Sequence, residues 1–214
     1  MRILVAGLAL AAVVAAAGVT ARAQPKPPYP AGESVQQALR LEASKDYIGV
    51  IQLMLARLAE HPDDLVARAI RGNAYIGLGD YTDAMADHDA VLKVVPTDVG
   101  ALINACWVRA LANVELDRAL TYCDAATKDA AAHRRAAGAF DTRGFLHYRR
   151  GEYALAVADY SSALKAAKFA SALYGRGLAE LRLGKEAAGR EDMAAALKLD
   201  PAIANTYAKR GAVP

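Results

Sequence analysis

From Tyr153 onward, apolar side chains fall at Tyr153, Ala156, Val157, Tyr160, Ala163 and Leu164, with polar residues between them. Steps of three and four residues place all six on one face of a helix. Tyr81, Ala84, Met85, His88, Val91 and Leu92 trace the same face earlier in the chain. The segments "RGNAYIGLGDYTDAMADH" at 71–88 and "RGFLHYRRGEYALAVADY" at 143–160 repeat one another almost step for step. Tyr47 and Tyr81 are 34 residues apart, as are Pro62 and Pro96, and Gly151 and Gly184 are 33 apart. Arg71-Gly72, Arg143-Gly144, Arg176-Gly177 and Arg210-Gly211 mark the same phase. A fixed period of this size signals stacked helical units, none of which buries its apolar face alone.

The punctuation predicts two helices in each unit. Pro62, Pro96 and Pro201 stop helices, since proline cannot continue the hydrogen-bond ladder. Asp64 and Asp98 then stand where the next helix needs an N-cap. The turns "SKDY", "LGDY", "RGEY" and "LGKE" join the two helices of a unit, with glycine, where present, supplying left-handed backbone. Gly72, Gly144 and Gly177 lie within helices, where glycine costs about 1 kcal/mol against alanine. Close approach of a second helix is the expected compensation.

This pattern resembles the tetratricopeptide repeat (TPR) family, a helix–turn–helix unit with small, tyrosine, alanine, aromatic and proline positions in fixed order. Gly72, Tyr75, Ala84 and Pro96 match it, as do Gly144, Ala156 and Tyr160. The last unit keeps Gly177 and Pro201 but has Gly189 in the alanine position, and the first keeps Tyr47 and Pro62. The resemblance implies an all-α fold, a right-handed superhelical solenoid of about five units at 31–64, 65–98, 99–133, 137–169 and 170–203. A C-terminal capping helix follows, with Asn205, Thr206, Lys209 and Arg210 expected on a polar outer face. The junction between the third and fourth units runs about three residues over, which predicts a longer loop or an extended helix.

Two cysteines occur, both in the third unit. Cys106 lies 34 residues after Gly72, at the small position of the first helix. Cys123 falls at the aromatic position of the second, and in an antiparallel helix pair these positions face one another. An even count in an exported chain suggests a disulfide; the alternative is two buried thiols.

The N-terminus argues for export. Arg2, an apolar run from Ile3 to Val19 and the small residues Ala21 and Ala23 predict a cleaved signal peptide over 1–23. A Pro-rich linker follows at 24–30, ahead of the repeat domain at 31–214. Cleavage lowers the net charge from +3 to +1, because Arg2 and Arg22 leave and no acid does. A near-neutral mature chain lacks the broad basic surface that nucleic acid requires. The expected destination is the periplasm or the exterior, with no membrane span after cleavage.

The resemblance also implies a concave groove lined by the first helix of each unit, which in the family holds a peptide or a partner helix. Asn73 and Asn104 match positions whose amides bond ligand backbone. Asp141, Phe145, Tyr148 and Tyr174 are expected along the same side. Trp107 joins them if the extra residue of the third unit follows it, and turns into the core if that residue comes earlier. Family members that clamp a chain-terminal carboxylate use lysines and an arginine, where this chain has Ala69, Gly138 and Thr142. Tyr75, His147 and Tyr160 are expected to pack, and the pairs Arg134-Arg135 and Arg149-Arg150 to be solvated.

Catalytic chemistry finds no footing here. His61, His88, His133 and His147 share no metal-ligand spacing, and no phosphate-cradling glycine loop or CxxC motif occurs. No metal and no cofactor is expected. The leading reading is an exported, non-enzymatic adaptor or scaffold that binds a protein or peptide in its groove. The alternative is a structural or assembly component of a cell-envelope complex, acting through its convex face or terminal repeats.

Overall fold

The computed structural model describes residues 32–128 and 135–214. The expected export signal at 1–23, the linker at 24–30 and residues His133 and Arg134 lie outside them. Eleven helices and no strands occur among the described residues. They are α1 (Glu33–Ala43), α2 (Tyr47–Glu60), α3 (Leu65–Leu78), α4 (Tyr81–Val94), α5 (Val99–Ala112) and α6 (Leu116–Thr127). After them come α7 (Ala136–Arg149), α8 (Tyr153–Ala166), α9 (Ala170–Arg182), α10 (Glu186–Leu199) and α11 (Ile203–Lys209). The described residues form an all-α helical repeat: five antiparallel pairs and one short terminal helix.

Local chemistry sets the boundaries. Asp64 accepts a hydrogen bond from the Ala67 N–H at 3.0 Å and Asp98 from Ala101 at 2.7 Å, so both act as the N-caps expected of them. Asp46 caps α2 in the same way. Gly79, Gly151 and Gly184 carry the positive φ that the turns within pairs require. The third pair turns differently. Asn113, Val114 and Glu115 connect α5 to α6, with Asn113 and Glu115 both at positive φ. The extra residue of this unit therefore lies after Trp107, which keeps its phase along α5.

The pairs close at a small residue on the first helix that lets the second approach. A Cβ at Gly72 would come within 2.9 Å of the His88 ring, and one at Gly144 within 3.0 Å of Tyr160. At Gly177 it would approach the Gly189 carbonyl oxygen to 2.7 Å and Met193 equally closely. Gly189, which departs from the alanine of the repeat pattern, is thus fitted to Gly177 across the helix pair. In the third unit the corresponding positions are Cys106 and Cys123, and they form a disulfide with Cα atoms 5.5 Å apart.

A second series of contacts runs beside the first. Arg71 donates two hydrogen bonds to Asp87, Arg143 two to Asp159 and Arg176 two to Asp192, each between the two helices of one unit. These fork-to-carboxylate pairs fix the register of one helix on the other. The third unit has Ala105 and Tyr122 in their place. It carries instead the buried Arg109, which bonds Asp89 of α4, Glu115 and the Ala105 carbonyl.

First helices of neighbouring units also touch: α1 on α3, α3 on α5, α5 on α7, and α7 on α9. The second helices stay farther apart at the backbone, and α4 and α6 meet through the Arg118 and Tyr122 side chains on Asp89. The stack therefore curves toward the first helices, which form the inner, concave wall. No helix among the described residues is long and apolar enough to cross a membrane.

Candidate functional site: the concave face and its C-terminal segment

All seven expected groove residues lie on first helices: Asn73 on α3, Asn104 and Trp107 on α5, Asp141, Phe145 and Tyr148 on α7, and Tyr174 on α9. They fall into two groups with different surroundings.

The first group is Asn73 and Asn104. Both are half-buried, and the Asn104 amide donates to the Asn73 carbonyl oxygen at 2.8 Å across the α3–α5 boundary. The bond ties two units together through the concave wall. It leaves the Asn73 N–H₂, a donor, and the Asn104 carbonyl oxygen, an acceptor, outside this bond.

The second group is covered by the chain's own C-terminus. The Tyr207 ring of α11 lies 6.0 Å from the Phe145 ring and 5.0 Å from that of Tyr174, centroid to centroid. Its hydroxyl donates to the Ser171 carbonyl at 2.8 Å. The Arg210 guanidinium stacks over Trp107, 4.8 Å from the ring centroid, and Trp107 in turn packs on Phe145 at 5.1 Å. The Val213 carbonyl accepts from Arg182 and, at 3.4 Å, from the Tyr148 hydroxyl. Phe145 and Tyr207 are each 1 % exposed, and Tyr148 and Tyr174 are also buried. Trp107 is half-buried on this face, beneath Arg210. The segment from Ile203 to Val213 thus spans α5, α7 and α9.

This placement corrects one expectation. Asn205 and Lys209 are exposed as anticipated, but Arg210 turns onto aromatic rings instead of joining an outer polar face. Arg149 also departs from its reading as a solvated charge. It donates to the Ala110 carbonyl at 3.1 Å and to Leu111, holding carbonyls at the end of α5 that have no partner within the helix. Arg150 pairs with Asp117 and Glu152. His147 bonds Glu152, Tyr160 is buried and Tyr75 half-buried, in keeping with packing roles.

Asp141 sits beneath the C-terminal segment. One carboxylate oxygen accepts from the Ser171 hydroxyl at 3.0 Å, while the other is sealed from solvent without a partner. Tyr160 of α8, Ser171 of α9, and Tyr207 and Arg210 of the C-terminal segment face it. Burial pushes its carboxyl up to about 6, against the Ser171 hydrogen bond and the Arg210 charge, which pull it down. A carboxyl raised in this way holds its proton more tightly in the folded chain. Its contribution to stability is greatest below about pH 4 and is lost as pH rises to about 6. Asp141→Asn removes that dependence. Thermal melts followed by circular dichroism are expected to show the variant several degrees more stable than the native chain at about pH 7, and little different at about pH 4.

Comparison with known proteins bears on this geometry. Residues 170–203 match the sequence profile of the tetratricopeptide repeat. A search among curated proteins found no match. Among solved structures, the chain is similar to a thermophilic TPR protein of Thermus thermophilus, at 19 % identity and a TM-score of 0.68. That alignment covers 83 % of this chain and 95 % of the other. It is also similar to PilW, a type IV pilus biogenesis factor, at 18 % identity and a TM-score of 0.70, over 83 % of this chain and 84 % of PilW. MamA from Desulfovibrio magneticus RS-1 aligns at 18 % identity with a TM-score of 0.62, over 80 % of this chain and 97 % of MamA. At these identities the likeness establishes the fold. Residues 170–203 are a tetratricopeptide repeat, and the described residues have the fold of a tetratricopeptide-repeat protein.

Proposed function

We propose that this is an exported, non-catalytic scaffold whose concave face binds a protein or peptide. The observation that carries the reading is the Asn73–Asn104 pair. It keeps one amide donor and one amide acceptor outside its own bond on the inner wall, the two kinds of group that pair with an extended main chain. The aromatic stretch that follows supplies rings that bury area at little entropic cost. Export is supported by the Cys106–Cys123 bridge, since disulfides persist in oxidising compartments. PilW is a type IV pilus biogenesis factor, and a cell-envelope role for this chain is in keeping with that likeness.

The test is affinity capture from envelope extract with the tagged mature chain and an Asn73→Ala/Asn104→Ala variant of matched helicity and melting. A partner retained by the native chain and lost by the variant is the expected result. Equal retention by both would remove the groove from the account.

One observation favours a second reading, assembly through the outer face. Ile48 and Leu55, one heptad apart on α2, are 60 % and 46 % exposed. A pair of aliphatic side chains on an outer helix is a small apolar patch of the kind that contacts mark.

A further inference from the structure

The concave face between α5 and α9 is covered by the chain's own C-terminal segment. Five of the ten other helices are first members of pairs, each closed against its own second helix. The terminal helix α11 has no such partner. It is seven residues long, too short to persist by itself. Its hold comes from Ile203, Tyr207, Arg210, Ala212 and the Val213 carbonyl, while Asn205, Ala208, Lys209 and Gly211 are exposed.

The receptor side is shaped around those anchors. Tyr207 lies between the Phe145 and Tyr174 rings, over Gly175. A Cβ at Gly175 would collide with the Tyr160 ring and stand 2.6 Å from the Tyr207 hydroxyl, so only glycine leaves room for the tyrosine. One turn on, Trp107 presents its face to a guanidinium. Arg210 is close enough to act on the Asp141 charge, yet the hydrogen bond that Asp141 accepts comes from Ser171. The second Asp141 oxygen stays buried and unpaired. The internal segment therefore fits the aromatic slot closely and leaves the acidic one unfilled.

We propose that residues 203–213 are a displaceable internal ligand, and that the partner segment replacing them presents a tyrosine followed three residues later by an arginine on one helical turn. The inference rests on the groove reading above and adds the chemistry of the occupant. Tyrosine enters the Phe145–Tyr174 slot and donates to the Ser171 carbonyl. Arginine lies on Trp107, where Arg210 lies, close enough to act on the Asp141 charge.

The probe is a synthetic peptide spanning residues 200–214, titrated into the full native chain and into a Tyr207→Ala/Arg210→Ala variant. The variant, with its own segment weakened, is expected to bind at least about tenfold more tightly than the native chain. The same peptide carrying Y207A and R210A is expected not to bind. Because the variant could lose structure, hydrogen exchange is measured on the native chain saturated with peptide. Amides of 203–212 should lose protection while those of α7 and α9 keep theirs. Equal affinity for a folded variant and the native chain would overturn the proposal. So would peptide binding that leaves exchange at 203–212 unchanged, since the site would then lie elsewhere. A native dimer abolished by Tyr207→Ala would assign the segment to a second copy and overturn the partner peptide. Failure here with the asparagine-dependent capture intact removes only the internal ligand. Capture that ignores Asn73 and Asn104 removes the groove reading whatever the peptide does.

Discussion

Removing the Cys106–Cys123 bridge is expected to cost about 3 kcal/mol and lower the melting temperature by about 6–12 °C. The bridge joins residues 17 apart, across the turn that connects α5 to α6. Without it the unfolded third unit regains the freedom of that loop. The native chain loses little else, since both sulfurs occupy buried small-residue positions in a close helix pair. The effect should be local. In a stacked repeat, stability is set by units and their neighbours, and the third unit connects α4 to α7. A Cys106→Ala/Cys123→Ala variant, or the native chain under reductant, should therefore show a broadened or divided transition. A single transition at the native temperature would contradict this account of the third unit.

Arg109→Met should be nearly as damaging, at about 3 kcal/mol. Arg109 is 1 % exposed, the bulkiest side chain fully removed from solvent among the described residues. Its guanidinium bonds Asp89 at 2.7 Å, Glu115 at 2.9 Å and the Ala105 carbonyl at 3.1 Å, and lies over the Tyr122 ring. Methionine keeps most of the stem's packing and removes all of these contacts. Asp89 retains Arg118, and Glu115 is exposed enough to hydrate, which keeps the loss at the lower end for a broken buried pair. Urea unfolding reads it directly. A change within about 0.5 kcal/mol would show that Arg109 is a passive filler.

The fold was legible because its punctuation is local. Proline, Asp caps and left-handed glycines act within a few residues, so pair boundaries could be read from Pro62, Asp64, Gly79 and their repeats. The disulfide followed from phase, since Cys106 inherits the position of Gly72 and Cys123 that of His88. Trp107 could not be placed, because its facing depended on whether one extra residue came before or after it. The turn from Asn113 to Glu115 accommodates that residue.

What escaped the sequence was tertiary. The pairs Arg71–Asp87, Arg143–Asp159 and Arg176–Asp192 repeat at a separation of 16, a signal present but hidden while each charge was considered alone. Arg149 read as solvated because the carbonyls it holds belong to a helix 38 residues earlier. The C-terminal segment read as an outer cap because its anchors come from three units. Only when Trp107, Phe145 and Tyr174 are brought onto one wall does a place for Tyr207 and Arg210 exist.

The central claim is that partners meet the concave wall, and site-specific photo-crosslinking tests it most directly. A photoreactive residue is placed at position 73 on the inner wall, or at position 48 on the outer helix α2, in the otherwise native chain exposed to envelope extract. The account predicts a crosslinked partner from position 73 and none from position 48. Crosslinking from position 48 alone would contradict it and make the outer face the interaction surface.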